Sequence, residues 1–234
     1  MKLLLLSNSG RPLFAHAATL MRDFLASRIT IGFVSAASLG DEGAYFDLVQ
    51  DRLTEENVAA SIRHLDWSGD WRTDLEAVEA VLVGGGNTYA LMSRLRTSGL
   101  GEAIAERVSG GMPYIGSSAG TNVTGPNILT TNDWNVGGFT EFDGLGLVEC
   151  NLNVHYQAGA REAATAETRE DRLGEYMLIR SNPVVAIEEG AAIEVRDGCG
   201  VIRGDARGRL FQANAEPRWL EAGEEIAPEI IGLT

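Results

Sequence analysis

Ser118 is the residue whose surroundings most clearly suggest chemistry, in the sequence Gly116-Ser117-Ser118-Ala119-Gly120. An apolar run ends at Gly116, and the small residues after Ser118 allow a helix to begin at once. A serine on such a strand-to-helix turn stands at the carboxyl edge of a sheet beside helix N-terminal amides, the geometry of a nucleophile elbow. A side chain at Gly116 or Gly120 would collide with the neighbouring strand or block the turn. Because the chain has 28 glycines, the pattern alone is weak and depends on its context.

A serine nucleophile needs a base, and the chain has three histidines. His16 falls in a predicted helix, and His64 lies far upstream of the serine; both are assigned structural roles. His155 follows an apolar run and is predicted at the end of a strand or in a loop. The candidate base is therefore His155.

The base needs an orienting partner, and Asp133 lies between the serine and His155 in the chain. The order Ser…Asp…His is one of several that assemble the same triad. Glu141 and Asp143 are nearby competitors for this role. Asp133 could instead be a turn or helix-capping residue, because Thr, Asn and Asp favour such positions.

A glycine run, residues 84–86, directly follows the predicted strand 80–83. It could be a phosphate cradle, but it lacks the lysine of a P-loop and the spacing of a dinucleotide fingerprint. Its other natural use is to donate a backbone N–H to an oxyanion, with the N–H of Ala119 as the second donor. Such donors are worth about 2.7–4 kcal/mol each in a transition state.

The elements that would position these residues alternate in type along the first half of the chain. Short apolar runs predict strands at 2–6, 29–34, 80–83 and 113–115, and helical patterns occupy 12–26, 45–53, 58–64, 88–96 and 102–108. Near-continuous apolar strands separated by helices predict a mostly parallel sheet with helices on both faces, the α/β class. Such sheets bind ligands beyond the carboxyl ends of their strands, where the glycine run and Ser118 would meet.

The pattern changes after about residue 180. Short strand candidates at 184–187, 192–196, 199–203 and 209–212 predict a C-terminal antiparallel β extension that finishes the sheet or packs beside it. Asp197-Gly198 is a hairpin signal between two of these strands. Residues 121–165 are irregular and rich in Asn, Thr and Gly, and such a long stretch is more often functional than idle. We expect a single domain over residues 1–234.

Composition limits the possible partners and the compartment. A net charge of −14 argues against nucleic acid or an anionic membrane as partner, so an acidic substrate would need locally placed arginines or lysines. Two cysteines without metal-ligand spacing indicate neither a disulfide framework nor a metal site. The apolar run 2–6 is too short for an export signal or a membrane span. These features predict a cytoplasmic chain.

Six motifs occur in an order that identifies a family. They are Leu3-Leu4-Leu5-Leu6-Ser7-Asn8-Ser9, Val83-Gly84-Gly85-Gly86-Asn87-Thr88, Tyr114-Ile115-Gly116-x-Ser118-Ala119-Gly120, Thr130-Thr131-Asn132-Asp133, Asn153-x-His155 and Glu167-Thr168-Arg169-Glu170-x-Arg172. Over residues 1–190 this set resembles the peptidase E family of aspartyl dipeptidases, serine peptidase family S51. The resemblance implies a fold similar to that of the class I glutamine amidotransferases, cleavage of dipeptides with an N-terminal aspartate, and no metal or organic cofactor. Relatives also suggest a homo-oligomer.

The resemblance implies a role for each matching residue. Ser118 is the nucleophile, His155 the general base and acid, and Asp133 the third member of the triad. The amides of Gly86 and Ala119 form the oxyanion hole. The substrate-binding residues are Asn87, Arg169 and Arg172, and Arg169 would hold the β-carboxylate of the substrate through its planar guanidinium. On a solvated helix these arginines could instead pair with neighbouring acids.

Three features depart from the family pattern: Ser117 replaces a bulkier residue, Val154 replaces a proline, and the segment 156–166 is short. They bear on substrate preference more than on reaction type. Three alternatives therefore stay open. One is an esterase or other acyl hydrolase, the second is a cyanophycinase-like peptidase, and the third is a non-catalytic α/β protein whose glycine run binds an anionic metabolite.

Overall fold

The computed structural model describes residues 1–159 and 166–232. Its strands are β1 (Lys2–Leu6), β2 (Thr30–Val34), β3 (Ser61–His64), β4 (Ala80–Val83), β5 (Tyr114–Ser117), β6 (Asn151–Tyr156), β7 (Val184–Glu188), β8 (Ala191–Arg196), β9 (Cys199–Gly204), β10 (Gly208–Phe211), β11 (Arg218–Leu220) and β12 (Glu225–Ile226). Its α-helices are α1 (Ala18–Leu25), α2 (Glu42–Glu55), α3 (Trp71–Glu76), α4 (Thr88–Ser98), α5 (Leu100–Ser109), α6 (Ala119–Asn122), α7 (Arg169–Ile179) and α8 (Pro228–Ile231). Most of the short segment 156–166 noted in the sequence lies outside the described residues.

The main sheet has eight strands in the order β12-β9-β8-β1-β5-β4-β2-β3. Strands β3, β2, β4, β5 and β1 run parallel, and β8, β9 and β12 continue the sheet in antiparallel fashion. The parallel strands end at one edge, so the loops after β1, β4 and β5 are neighbours. The predicted mostly parallel sheet with a C-terminal antiparallel extension is confirmed.

The leucines of β1 show how the sheet is buried on both faces. Leu3 and Leu5 pack into one core and Leu4 and Leu6 into the other, each at most 2% exposed. Successive strand residues point to opposite faces, so a continuous apolar run is what a strand covered on both sides requires. Burial of this strand between two cores fixes the position of the loop that follows it.

A second sheet of four strands, β11-β10-β7-β6, packs beside the first. Strand β6 pairs in parallel with β7, and β7 pairs antiparallel with β10. The C-terminal strands therefore both extend the main sheet and build a second one. His155 lies near the end of β6, so a residue from the second sheet faces the carboxyl edge of the first.

One helix prediction was wrong, and another was right for α1 but began too early. Residues 61–64 form the edge strand β3, because Ser61 to His64 alternate in exposure and pair with β2 from Thr30 to Phe33. The predicted helix 12–26 starts later, with a 3₁₀ turn at Ala15–Ala17 before α1, since Phe14 has φ 58° and cannot continue a right-handed helix. The hairpin signal at residues 197 and 198 is confirmed between β8 and β9.

Within the described ranges, no helix has both the length and the apolar character needed to cross a membrane.

Candidate active site

Ser118 lies in a sharp turn between β5 and α6 and is half-buried. Its backbone has φ 53° and ψ −110°, a conformation that residues other than glycine rarely adopt. The backbone packs tightly at the glycines on either side of Ser118. A Cβ on Gly120 would lie 2.1 Å from the carbonyl oxygen of Val83, and a Cβ on Gly116 would lie 2.5 Å from the carbonyl oxygen of Gly120. The Ser118 N–H donates to the carbonyl of Leu6 at 3.1 Å. Neighbouring backbone therefore holds the serine in the strained turn of a nucleophile elbow.

His155 approaches this serine from the second sheet. Its Nε2 lies 2.9 Å from Ser118 Oγ. The histidine backbone has φ 54°, at a point where the register between β6 and β7 is irregular. Its N–H donates to Ser7 Oγ at 2.9 Å, and that hydroxyl donates to the carbonyl of Ile187 at 3.0 Å. Buried Ser7, directly after β1, thus fixes the histidine backbone between the two sheets.

Glu189 supports the other side of the imidazole. Its Oε1 lies 2.8 Å from His155 Nδ1. When Nε2 accepts a proton from the serine hydroxyl, Nδ1 must carry the other proton, so the carboxylate fixes both the tautomer and the ring orientation. The side chains of His155 and Glu189 are 39% and 54% exposed, so solvent screens this pair more than it would a buried one.

This geometry corrects the assignment of Asp133 as the orienting residue. The Asp133 carboxylate accepts the N–H of Thr88 at 2.7 Å and the hydroxyl of Thr131 at 3.1 Å. Thr88 is the first residue of α4, so the carboxylate sits where the helix dipole and a free amide favour a negative charge. The competitor Glu141 pairs with Arg96 at 2.5 Å. The orienting role falls to Glu189.

Hydrogen bonds from side-chain amides connect the loop of Asp133 to the strand of His155. Asn132 Nδ2 donates to the carbonyl of Val154 at 2.7 Å. Asn153 Nδ2 donates to the carbonyl of Thr130 at 2.6 Å and to Asn132 Oδ1 at 2.9 Å. The asparagines of the irregular segment therefore replace the hydrogen bonds of a regular strand and position Asp133 beside the serine turn.

The glycine run after β4 faces this turn. Gly86 has φ 143°, and a Cβ there would lie 2.2 Å from the carbonyl oxygen of Ala37, so only glycine fits. The Gly85 N–H donates to the hydroxyl of Tyr45 at 3.2 Å. The N–H groups of Gly86 and Ala119 have no acceptor in the part of the chain that the structure describes. Two backbone donors are therefore free beside Ser118.

Asn87 makes two structural contacts beside the glycine run. Its Oδ1 accepts the Ala90 N–H at 3.0 Å and caps α4, and its Nδ2 donates to the carbonyl of Trp134 at 2.9 Å. An N-cap side chain satisfies one of the first amides of its helix. Asn87 thus connects two loops of the site, and its substrate contact stays a prediction.

Arg169 is the first residue of α7, which begins at a capping box formed by Thr168 and Asp171. The Arg169 Nη1 is buried and has no hydrogen-bond partner among residues 1–159 and 166–232. Burial and the charge of Arg172 lower the pKa of Arg169, whereas nearby Asp133 acts in the opposite direction. A buried, unsatisfied donor on a cation is costly unless an anion completes it. Arg169 therefore has the features of an anion-binding group.

Arg172 behaves differently, although it lies one helical turn away. Its side chain is 60% exposed and lies 4.0 Å from Glu167, which is equally exposed. It is a solvated residue with a weak ion pair, and its substrate contact stays a prediction.

A cavity of 750 Å³ opens above the serine turn. It is lined by Asn8, Ser9, Gly10, Arg11, Leu13, Tyr45, Gly85, Gly86, Ser118, Asn122, Thr131, Asn132, Asp133, Val154, His155 and Glu189. The loops after β1, β4 and β5 thus meet the 131–133 loop and the end of β6. The candidate nucleophile and base and one candidate oxyanion donor share this space with Asp133.

Sequence reasoning missed Ser7 and Glu189 as residues that contact His155, and Arg11 as a residue that lines the cavity. Ser7 could have been found, because a polar residue directly after four buried leucines must lie at the carboxyl edge. Glu189 lies between the predicted strand 184–187 and the turn residue Gly190, but no sequence pattern placed that strand beside His155. The pairing of β6 with β7 brings the two together, and it is a long-range contact.

Comparison with known proteins places these features in a family. The model of peptidase family S51 matches residues 3–202. Peptidase E of Streptomyces coelicolor is 37% identical over 97% of this chain and 94% of its own length. A probable alpha-aspartyl dipeptidase of Drosophila melanogaster is 36% identical over 97% and 93%. A putative peptidase E from Listeria monocytogenes EGD-e has a similar fold, with a TM-score of 0.70 and 24% identity over 87% of this chain and 98% of its own.

The orienting role of Glu189 predicts a loss of serine reactivity in Glu189→Gln. The amide can donate to Nδ1 and favour the wrong tautomer, so the rate of Ser118 modification by a fluorophosphonate should fall about 100-fold. Mass spectrometry of the labelled peptide measures this rate.

Glu141→Gln is the matched control, because Glu141 pairs with Arg96 away from the histidine. It should label at the wild-type rate. An unchanged rate in Glu189→Gln would remove Glu189 from the site.

Proposed function

Because the chain belongs to peptidase family S51, we propose that it is a serine dipeptidase that cleaves dipeptides with an N-terminal aspartate, using Ser118, His155 and Glu189. The observation that carries the proposal is the continuous hydrogen-bonded chain of these side chains, with distances of 2.9 Å and 2.8 Å. Ser118 begins this chain at the strained turn between β5 and α6, and all three side chains line a cavity that Asp133 also lines. The names of the relatives supply the substrate class.

In the first step, Ser118 Oγ forms a bond to the scissile carbonyl carbon while its proton passes to His155 Nε2. The imidazolium is stabilised by the Glu189 carboxylate at Nδ1. The C–N bond then breaks, and His155 gives its proton to the departing amine. Water attacks the acyl-serine through the same base and releases aspartate, which restores the serine hydroxyl.

The negative charge of each tetrahedral intermediate falls on the former carbonyl oxygen. The free N–H groups of Gly86 and Ala119 are the donors we assign to it. Donors that are fixed before the reaction need no reorganisation as charge develops, which is why each contributes about 2.7–4 kcal/mol to the barrier reduction. The close approach at Gly86 keeps its amide in place.

The N-terminal aspartate carries an ammonium and a β-carboxylate, and we assign them to Asp133 and to Arg169, which does not itself line the cavity of Ser118. Asp133 lines the cavity and is the acid we assign to the ammonium. Asn122 lines the cavity too, and its buried Oδ1 has no hydrogen-bond partner among the described residues. The unsatisfied Nη1 of Arg169 is the donor we assign to the β-carboxylate, because an arginine fork binds a carboxylate through two parallel hydrogen bonds.

The cytoplasm is the compartment we propose for this reaction. Cys150 and Cys199 are free thiols, and burial raises the pKa of Cys150 to about 12. A buried, protonated thiol is unreactive, and an exposed free Cys199 is best preserved where thiols stay reduced.

The proposed activity predicts hydrolysis of Asp-Leu by the wild-type protein and little hydrolysis of Leu-Leu or a nitrophenyl ester. Ser118→Ala should lower the rate on Asp-Leu by about 10⁴-fold or more, because the nucleophile is lost. Release of free amino acids, followed by chromatography, measures both. A preference for the ester would contradict dipeptidase activity, and full activity of Ser118→Ala would contradict serine catalysis.

The role of Arg169 predicts a selective loss in Arg169→Met. The kcat/KM for Asp-Leu should fall about 100-fold, since a charged hydrogen bond to the substrate is removed. Slow hydrolysis of Leu-Leu should stay at its wild-type rate.

Arg172→Met is the control on the same helix, and it should change kcat/KM for Asp-Leu by less than about threefold because that arginine is solvated. Equal losses on both dipeptides in Arg169→Met would show that the arginine supports the fold and does not select aspartate.

A further inference from the structure

Arg11 is a cation of the catalytic cavity that the proposed mechanism leaves unused. It lines the cavity with Ser118 and His155, and its side chain is exposed. Within the described ranges it has no ion pair, hydrogen bond or ring contact. Among the described lining residues it alone carries a permanent positive charge, whereas Asp133 and Glu189 are acids. The protein has a net charge of −14, so an unpaired positive charge in this cavity is opposite in sign to the charge of the protein as a whole.

The loop of Arg11 lies on the histidine side of the serine. It follows β1, and Asn8 Oδ1, three residues before Arg11, accepts the N–H of Gly190 at 3.4 Å. Gly190 is next to Glu189, which supports the imidazole. Asp133 instead accepts the N–H of Thr88 at the first turn of α4, and its neighbour Asn132 is bonded to β6. We therefore distinguish two walls of the cavity, the loop of Arg11 next to the turn of Glu189 and the loop of Asp133 next to α4.

The chemistry of acyl transfer decides which part of a substrate meets each wall. His155 must protonate the departing nitrogen, so the leaving residue lies on the histidine side. In a dipeptide that residue ends in a free carboxylate, close to the scissile bond. Asp133 and Arg169 already have partners in the ammonium and the β-carboxylate, so the C-terminal carboxylate is the remaining charged group of the substrate.

We propose that Arg11 binds the C-terminal carboxylate of the substrate and thereby makes this enzyme favour dipeptides with a free C-terminus. The inference rests on the proposed dipeptidase function. Because Arg11 has no partner to give up, its guanidinium gains an ion pair with the carboxylate when the substrate binds. This ion pair favours the substrate that has a free C-terminal acid. A longer peptide or a C-terminal amide places a neutral group at the same position and lacks this contact.

The experiment compares Asp-Leu with Asp-Leu-amide in the wild-type protein and in Arg11→Met. The wild type should prefer the free acid by about fivefold or more in kcat/KM, because a charged hydrogen bond favours it while solvent at the exposed arginine weakens the effect. Arg11→Met should reduce this ratio to about twofold or less by losing activity on the free acid alone. Arg11→Lys should retain part of the preference, since it keeps the charge but not the fork.

Arg180→Met is the matched control, because Arg180 is an exposed arginine that lines a different cavity with Arg96 and Asn182. It should leave both substrates at wild-type rates. A preference for the free acid that survives in Arg11→Met, or an equal loss on both substrates, would overturn the assignment. Absence of Asp-Leu hydrolysis in the wild type would instead overturn the proposed function.

A carboxylate could also come from the side chain of an acidic leaving residue. Asp-Glu with an amidated C-terminus separates this source from the first, since only its side chain is charged on the leaving residue. The proposal expects it to be cleaved no faster than Asp-Leu-amide. A faster rate that disappears in Arg11→Met would assign Arg11 to the side chain and overturn the C-terminal role.

Discussion

The approach of the Gly120 backbone to within van der Waals distance of β4 is the constraint on which the site depends. A Cβ at this position would lie 2.1 Å from the Val83 carbonyl oxygen, so the chain can turn here only with glycine. The turn places Ser118 in a left-handed conformation and starts α6 directly after it, which leaves the Ala119 amide without an intrahelical partner. The buried hydroxyl of Tyr114 donates to the Gly120 carbonyl at 2.5 Å and thereby stabilises the turn. One packing contact therefore sets both the position of Ser118, the candidate nucleophile, and the free amide of Ala119, the candidate oxyanion donor.

A second constraint joins the two sheets. The serine belongs to the main sheet, whereas His155 and Glu189 belong to strands of the smaller sheet and the turn after it. Ser7 connects them, since its hydroxyl accepts from the His155 backbone and donates to the β7 carbonyl of Ile187. The distances between Ser118, His155 and Glu189 are thus determined by the packing of the sheets and by a few buried polar contacts, and the charged groups that we assign to the substrate are arranged around them.

The main sheet, the elbow and the histidine could be predicted because each has a local cause. Four successive leucines indicate a strand buried on both faces, and glycines on either side of a serine indicate a tight turn. Asp133 was misassigned because Asp is suited equally to a triad and to a helix N-terminus, and only its contact with the Thr88 amide decides between them. Glu189 was missed because its contact with His155 depends on the parallel pairing of β6 and β7. The sequence predicts a helix at residues 58–64 because an edge strand with half-exposed residues shows no clear alternation of apolar and polar residues.

The hydrogen bond between His155 and Glu189 can be observed directly by proton and nitrogen NMR of the imidazole. The chain has three histidines, so the His155 signals can be assigned by comparison with a His155→Gln variant. A proton on Nδ1 that is bonded to a carboxylate is strongly deshielded and exchanges slowly with water. We expect this resonance in the wild type and in Asp133→Asn, and its loss in Glu189→Gln. Its persistence in Glu189→Gln together with its loss in Asp133→Asn would contradict the account.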